Sequence, residues 1–287
     1  MFDSTALADP GASKQAIQYH YDVGNDFYHL WLDETKTYTC ALWEGAQTLQ
    51  QAQEQKLDYH ISQAGASGTR FALDIGCGWG PALTRMVDHH RVHHAIGLTL
   101  SQQQADYISS LGDNRIEVEV QSWFDHIPAQ PYDAIVSIGA FEHFARPDMS
   151  HSQKVAGYRS FFDRCHAWLR PGKRMSLQTI AYENSDRHDL HPFIAKEIWP
   201  ETDLPRLADI VVAAERKFEI IRLRNDRADY VRTCNAWIHR LNERQDEIIG
   251  LVGADVFHRY VHWFKLSMIG FHTGTMSLLR ITFQRVP

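Results

Sequence analysis

Residues 70–81 read RFALDIGCGWGP and constrain the fold of this chain more than any other stretch. The apolar run before Gly76 is typical of a short strand that is buried in a parallel sheet. Gly76, Gly78 and Gly80 then allow the backbone to turn sharply and to approach a ligand closely. An apolar-periodic segment follows and predicts a helix, whose free N–H groups would favour polar or anionic ligand groups. Asp74 lies at the strand end, where its carboxylate can meet a cationic amine.

Strand and helix alternate along the rest of the chain. Helices are predicted over residues 48–61 and 152–169. A third helix is predicted to begin after Ser101, whose hydroxyl would serve as its N-cap. The turn at residues 170–172, Arg-Pro-Gly, is expected to end the second of these helices. The predicted strands cover residues 71–75, 94–98, 116–120, 132–138, 175–180, 218–223 and 275–283, with the strongly apolar fourth strand at the centre. This alternation predicts a doubly wound, mostly parallel, seven-stranded Rossmann-like α/β sheet with ligands at the strand C-termini.

An α-helical cap is expected over this sheet. Residues 14–32 carry too many aromatic side chains for a linker, and residues 181–205 look like an excursion over the site. Apolar side chains at helical spacing between residues 230 and 271 predict two further helices. The cap is therefore predicted from about residues 14–62, 181–214 and 228–270, within a single domain of residues 1–287. The first thirteen residues lack periodicity and are expected to fray.

Composition disfavours several classes of protein. The formal net charge of −6 disfavours a nucleic-acid partner, which would require a basic face. Cys40, Cys77, Cys165 and Cys234 are scattered, which favours neither a zinc site nor a disulfide framework and fits a reduced, cytoplasmic setting. The histidines lack metal-ligand spacing, so no metal is expected. No apolar run reaches transmembrane length, so membrane contact is expected to be peripheral at most.

Further motifs follow the predicted strands. GLTLS, SW and GAFEHF stand at residues 97–101, 122–123 and 139–144. The others are HYDVGNDFY at 20–28, YTCALW at 38–43, ADYVRTCNAW at 228–237 and GFHTGTMSLL at 270–279. Together with the glycine loop, this set resembles the cyclopropane fatty acid synthase and mycolic acid methyltransferase family. The resemblance covers nearly the whole chain from about residue 14, in the same order.

The resemblance implies S-adenosylmethionine as the methyl donor. Gly76 and Gly78 would line its methionine portion, and Thr99 and Gln104 would lie near its ribose and adenine. The implied cofactor-binding residues are Tyr38, Thr39, Asp74, Gly76, Gly78, Thr99, Gln104, Trp123 and Ile138. The residues after the second strand agree with this, because Leu98-Thr99-Leu100 lacks the acidic residue that an NAD site places there.

The resemblance also implies a site for bicarbonate, which serves this family as a base. Cys40, Glu142, Ile180 and Tyr230 match four places of its cage, whereas Gln178 stands where the family has a histidine. Glutamine can donate a hydrogen bond to an anion, but it cannot carry charge or relay a proton. Whether bicarbonate binds is therefore open at this point. Cys40 is interpreted as a packing or backbone contact, because no general base is evident beside it.

His143 is a candidate second base, although a structural role at a strand end is an equal interpretation. The leading reaction is methylation of an electron-rich, alkene-type carbon in an apolar substrate, with an acyl chain as the family default. Aromatic faces would stabilise the resulting cation. The alternatives are C- or N-methylation of a small natural-product intermediate, with Glu142 as direct base, and a non-catalytic S-adenosylmethionine-binding protein. The sequence leaves the substrate, the type of product and the oligomeric state open.

Overall fold

The structure is a computed structural model, and it describes Asp9, residues 11–13, Gln15 and residues 23–287. The aromatic segment before residue 23, with Tyr19 and Tyr21, lies outside the described residues. The strands are β1 (Phe71–Ile75), β2 (His94–Thr99), β3 (Ile116–Val120), β4 (Tyr132–Ile138), β5 (Leu169–Tyr182), β6 (Phe218–Asn225) and β7 (Met276–Arg285). The helices are α1 (Asn25–Trp31), α2 (Leu49–Gln63), α3 (Pro81–Asp88), α4 (Gln102–Ser110), α5 (His151–Trp168), α6 (Leu207–Ala214), α7 (Arg227–Glu243), α8 (Gln245–Val252) and α9 (Ala254–Thr273).

The strands form one seven-stranded sheet in the order β3-β2-β1-β4-β5-β7-β6. Neighbouring strands from β3 to β5 run parallel, whereas β7 runs antiparallel to both β5 and β6. The predicted fold class is thereby confirmed, including the central place of β4. The strand order reverses between β1 and β4, and in a doubly wound sheet this is where a ligand crevice opens.

The fifth strand is longer than predicted. Helix α5 ends at Trp168 as expected, but β5 begins at once with Leu169 instead of at Met175. Tyr132 pairs with Leu169, whereas Ala134 pairs with Arg174, so the intervening residues of β5 bulge out of the ladder. Gly172 lies in this bulge with φ +72°, which a glycine adopts without strain. The Arg-Pro-Gly turn is therefore a bulge within a strand.

Two helix starts follow from side-chain capping. Ser101 Oγ accepts a hydrogen bond from the backbone N–H of Gln104 (3.3 Å), as expected for the N-cap of α4. Thr48 caps α2 in the same way, and Gln51 completes a capping box. Within the described residues, no helix combines the length and apolar character that a membrane span requires.

Helices α1, α7 and α9 pack around an aromatic cluster. The ring of Trp31 lies 5.8 Å from that of Trp237 and 5.5 Å from that of Phe264 (between centroids), and all three side chains are buried. Helix α6 lies within the predicted cap range, yet Ile210 and Ala213 belong to the main core of the sheet. The extent of the cap stays a prediction, with α6 packed against α5 and joined to the main core.

Candidate active site

The glycine-rich loop after β1 is held against the end of β2. The backbone N–H groups of Gly76 and Cys77 both donate to the carbonyl oxygen of Leu98 (2.9 Å each). Gly76 has φ +82°, and a Cβ there would lie 2.4 Å from the Cβ of Ala140. Gly78 has φ +56°, and a Cβ there would project into open space. Gly76 therefore allows close packing of the loop, whereas Gly78 leaves room for a ligand.

An outer cleft of about 710 Å³ lies beside this loop, at the C-terminal ends of β1 and β2. Thr99 Oγ1 donates to Gln104 Oε1 (2.6 Å) and accepts from the N–H of Ser101 (3.1 Å), so both polar side chains are fixed on its wall. Trp123 is buried on the wall, with its ring 5.1 Å from that of Phe144. A flat ring and two fixed polar groups suit a nucleoside.

An inner pocket of about 460 Å³ continues from the outer cleft, and both share Gly76 and Gly78. Asp74 lies on the pocket wall with 2% of its surface exposed, and its Oδ1 has no hydrogen-bond partner among the residues that the structure describes. Burial raises the pKa of this carboxyl to about 7, against the opposing effect of the Lys56 ammonium. An unpaired carboxylate oxygen in a buried pocket is a binding group for a cationic donor.

Every residue predicted for the cofactor lies on the wall of one or both of these spaces. The outer cleft is lined by Gly76, Gly78, Thr99, Gln104 and Trp123. The inner pocket is lined by Tyr38, Thr39, Asp74, Gly76, Gly78, Gln104 and Ile138. The sequence prediction missed Lys56 on the inner pocket and Asp9, Gly11 and Ala12 on the outer cleft.

The expectation that the first thirteen residues fray is wrong for Asp9 and residues 11–13. The Ala12 N–H donates to the carbonyl oxygen of His143 (2.8 Å), and Arg146 Nη1 lies 3.4 Å from the carbonyl oxygen of Asp9. The Asp9 carboxylate also accepts a hydrogen bond from the Ser122 hydroxyl. These contacts are made to distant parts of the chain, so local sequence periodicity could not indicate them.

A third space, the aromatic cavity, encloses about 890 Å³ including the part that opens to solvent. Its aromatic wall comprises Tyr38, Trp199, Tyr230, Trp237, Trp263, Phe264 and Phe271. The excursion after β5, which contributes Trp199, supplies further wall residues, among them Leu190, Ile194, Ala195 and Leu204. Arg187 also lies there, but its guanidinium donates to the carbonyl oxygens of residues 195, 200 and 202. The cavity therefore offers an apolar ligand a largely aromatic surface.

Glu142 is the one carboxylate among the described residues that line the aromatic cavity. It belongs to a single turn of 3₁₀-helix, Phe141–His143, that follows β4. The side chain is 6% exposed, and its Oε2 accepts a hydrogen bond from Thr179 Oγ1 (3.2 Å). Burial raises the pKa of the Glu142 carboxyl to about 7. A carboxyl with that pKa can accept a proton near neutral pH.

His143 lies beside Glu142 and lines both the aromatic cavity and the outer cleft. Its Nδ1 lies 2.7 Å from Thr202 Oγ1, and its carbonyl oxygen accepts the N–H of Ala12. Burial lowers the pKa of the imidazole to about 4, so the ring is neutral near pH 7. The histidine thus joins the N-terminal segment and the excursion around residue 202 to the site.

Cys40 and Gln178 do not lie on the wall of the aromatic cavity, whereas Glu142, Ile180 and Tyr230 do. The Cys40 thiol is fully buried, and burial raises its pKa to about 12. Of the five residues that match the bicarbonate cage, the structure therefore brings three together on one surface. The other two lie behind that surface.

Gln178 belongs to a buried polar network that the sequence did not indicate. Its Oε1 accepts from Arg280 Nε (3.0 Å) and lies 3.4 Å from His60 Nε2. Arg280 is fully buried, forms an ion pair with Asp226 and donates to the carbonyl oxygen of Ala41 (2.9 Å). The network therefore ties the loop around residue 41 to β5 and β7.

The inner pocket and the aromatic cavity meet at Tyr38, Thr39 and Gly139, which line both. A Cβ at Gly139 would lie 2.4 Å from Thr39 Cγ2, so the loop before α2 approaches the end of β4 closely. A ligand in the inner pocket thus lies next to the cavity that holds Glu142.

The seven-stranded sheet with an antiparallel β7, together with a glycine loop that opens on a nucleoside-sized cleft, defines a S-adenosylmethionine-dependent methyltransferase. The chain belongs to the mycolic acid cyclopropane synthetase family, whose model matches residues 9–281. Cyclopropane mycolic acid synthase 2 of Mycobacterium leprae is 35% identical over 273 residues, which cover 87% of this chain and 86% of that protein.

Solved structures agree with this family. The cyclopropane synthase MmaA2 from Mycobacterium tuberculosis matches with a TM-score of 0.86 and 30% identity, over 96% of this chain and 100% of that one. The mycolic acid cyclopropane synthase CmaA1, complexed with SAH and CTAB, matches with a TM-score of 0.84 and 30% identity, over 96% and 99% of the two chains. The residues present here fit S-adenosylmethionine, because Gly78 leaves room beside the loop and Asp74 has an unpaired oxygen.

Proposed function

We propose that this chain transfers the methyl group of S-adenosylmethionine to an alkene carbon of a long apolar acyl chain that lies in the aromatic cavity. We further propose that Glu142 accepts the proton that the product loses. The single observation that carries this proposal is the position of Glu142. It is the one carboxylate among the described residues lining the cavity, and it follows Gly139, where the cavity meets the inner pocket.

The cavity wall supports an apolar acceptor. Aromatic rings supply both the apolar surface for a hydrocarbon chain and π-faces that stabilise a cation without bonding to it. Tyr230 stacks on Phe271 with ring centroids 4.4 Å apart, and Trp263 lies 5.0 Å from Phe264. This wall also excludes water from a cation that water would otherwise trap.

The bonds that form and break in this reaction require a base, and Glu142 serves as that base. When bound, S-adenosylmethionine supplies an electrophilic methyl carbon whose bond to sulfur breaks with the electron pair left on sulfur. The alkene π pair forms the new carbon–carbon bond, and a cation remains on the acceptor. Glu142 takes a proton from that cation, and the freed C–H pair closes a cyclopropane ring or restores a double bond. Thr179 Oγ1 orients the carboxylate for this step.

Direct action of Glu142 makes bicarbonate unnecessary. The Oε1 of Gln178 is engaged by Arg280 and His60, and neither Gln178 nor Cys40 is among the residues that line the cavity, so the match to the family's cage is incomplete on the cavity wall. A small amine or nucleophilic carbon could use the same base. The size and apolar character of the cavity favour an acyl chain instead.

Glu142→Gln tests the proposal, because it keeps the size of the side chain and removes its charge and basicity. We expect transfer of labelled methyl to unsaturated acyl acceptors to fall by roughly two to four orders of magnitude, the range for loss of a general base. Binding of S-adenosylhomocysteine, measured by calorimetry, should stay within about twofold of the wild type.

Tyr230→Phe is the matched control on the same wall, since its ring can remain stacked on Phe271. It should lose less activity than Glu142→Gln. Retention of most activity by Glu142→Gln would make the carboxylate structural and would contradict the assigned base. Absence of methyl transfer in the wild type with every acceptor would favour a non-catalytic binding protein.

A further inference from the structure

Lys56 is a buried cation whose hydrogen-bonding capacity is largely unused. It lies on α2, is 1% exposed and lines the inner pocket. Its Nζ donates to Thr39 Oγ1 (2.8 Å), which lies on the same wall. An ammonium group has three donors, and Lys56 forms no ion pair with a carboxylate in the described part of the chain. Burial of such a group is unfavourable unless something supplies the missing partner.

Asp33 attracts Lys56 electrostatically, yet its carboxylate already has other partners. Asp33 accepts hydrogen bonds from the backbone N–H groups of Thr35 (3.0 Å) and Thr37 (3.1 Å), and from the Thr35 hydroxyl. Arg280 and Cys40 are the other protein groups that act on Lys56, apart from Asp74. Within the described residues, none of these groups accepts a hydrogen bond from Lys56, whose Nζ donates to Thr39.

Asp74 is the one carboxylate among the described residues of the inner pocket, which it shares with two lysines, Lys56 and Lys36. The Lys36 ammonium donates to the Tyr107 hydroxyl (2.7 Å), whereas Lys56 and the unpaired oxygen of Asp74 are both buried. Burial lowers the pKa of Lys56 to about 7 and raises the pKa of Asp74 to about 7. A ligand with both an ammonium and a carboxylate would supply the counter-charge to each of them. An α-amino acid group is a ligand of this kind.

We propose that Lys56 binds the α-carboxylate of the methionine portion of S-adenosylmethionine, while Asp74 faces its ammonium. The assignment rests on S-adenosylmethionine as the methyl donor, and it is independent of the acyl acceptor and of Glu142. Gly76, Gly78 and Gln104 line both the outer cleft and the inner pocket, so a single ligand can reach from one space into the other. Lys56 thereby favours a methyl donor that carries the α-carboxylate as well as the ammonium group.

The test measures binding by calorimetry in the absence of any acceptor. The probes are S-adenosylmethionine, its decarboxylated form, which keeps the ammonium, and 5′-methylthioadenosine, which lacks both groups. We expect Lys56→Met to weaken binding of S-adenosylmethionine by about tenfold to a hundredfold, as for loss of a charge-assisted hydrogen bond. Its affinity for the decarboxylated form should match that of the wild type. Asp74→Asn should weaken binding of both charged probes.

An equal loss for S-adenosylmethionine and its decarboxylated form in Lys56→Met would show that Lys56 only supports the pocket, and would overturn the proposal. Unchanged binding of S-adenosylmethionine would overturn it as well. Normal binding of 5′-methylthioadenosine serves as the check that the cleft is folded. If Lys56→Met does not fold, Lys56→Gln, which keeps a donor for Thr39, undergoes the same comparison. Because no acceptor is present, failure of the proposed methyl transfer leaves this result unaffected.

Discussion

Burial gives Glu142 the properties that its proposed role requires. Glutamate on a protein surface is ionised well below neutral pH, and such a carboxylate is a weak base. Desolvation raises the pKa of Glu142 to about 7, while the Thr179 hydroxyl opposes this rise only in part. The same desolvation lowers the pKa of the neighbouring His143 to about 4. Of the two side chains, the carboxylate is therefore the better proton acceptor near neutral pH.

The raised pKa of Glu142 predicts opposite effects of pH on activity and stability. Turnover should rise with pH through about 7, because only the ionised carboxylate accepts a proton. The contribution of Glu142 to stability is fully present below the pKa of glutamate in the unfolded chain. It is lost as pH rises through about 7, by on the order of 3 kcal/mol in the free energy of unfolding. Melting temperatures of the wild type and Glu142→Gln should therefore diverge as pH rises toward about 7 and stay apart by a constant amount above it, with the variant more stable. Parallel melting curves at all pH values would contradict the raised pKa.

Gln178 gives a prediction about bicarbonate. If Glu142 acts directly, removal of dissolved carbonate should leave turnover unchanged. Gln178→His should reduce turnover and lower the free energy of unfolding by about 1–3 kcal/mol, because it disrupts the buried acceptor of Arg280. Gln102→His, at an exposed position of α4, is the matched control. A loss of activity on carbonate removal, together with a gain in Gln178→His, would instead support a bicarbonate cage.

The residue scale is also where the sequence was least informative. Lysine in a helix is usually solvated, yet Lys56 stands on the buried face of α2 with Gln53, Leu57 and His60. These residues are spaced three and four apart, as on one face of a helix, and this spacing was the available sequence signal. The polar side chains among them concealed that this face is buried. Gln178 lies within β5, as the predicted strand over residues 175–180 required, whereas its side-chain direction depends on Arg280, which lies 102 positions away in the chain.

The glycine loop is the element on which cofactor binding depends. Gly78→Val should abolish binding of S-adenosylmethionine, because the new side chain would fill the space that the loop leaves open. Gly112→Val is the matched control, since Gly112 also has positive φ (+67°) and open space around it, but lies on an exposed turn away from the site. Both variants should lose stability through backbone strain, and only Gly78→Val should lose cofactor binding in calorimetry. Normal binding by Gly78→Val would mean that the loop is wrongly assigned.

Elements with a local signal were predicted well from the sequence. β1, β3 and β4 have the predicted bounds. A largely apolar run specifies β1 and β4 as buried parallel strands, whereas β3 was indicated by the alternation in its sequence IEVEV and is not fully buried. The start of β5 was wrong because a bulge that contains Gly172 continues the strand through a sequence typical of a turn. The placement of α6 against α5 depends on tertiary packing of Ile210 and Ala213, which helical periodicity alone does not specify.

At the scale of the whole molecule, three spaces form one path through the C-terminal edge of the sheet. The outer cleft shares Gly76 and Gly78 with the inner pocket, and the inner pocket shares Tyr38 and Thr39 with the aromatic cavity. Gly139 lines all three. The sheet and the aromatic helices thus place the polar inner pocket next to the aromatic cavity, which are the proposed donor and acceptor sites. The motifs predicted residues that lie on the walls of these spaces, whereas the junction between the spaces follows from the fold.

The most direct measurement of the central claim uses S-adenosylmethionine with a fully deuterated methyl group. The wild type is incubated with a cis-unsaturated acyl acceptor, with its saturated analogue and with a small amine, and the products are analysed by mass spectrometry. We predict label only in the unsaturated chain, with two deuterium atoms kept in a cyclopropane or all three kept in a methyl branch. Label in the saturated chain or in the amine, with none in the unsaturated chain, would contradict transfer to an alkene carbon.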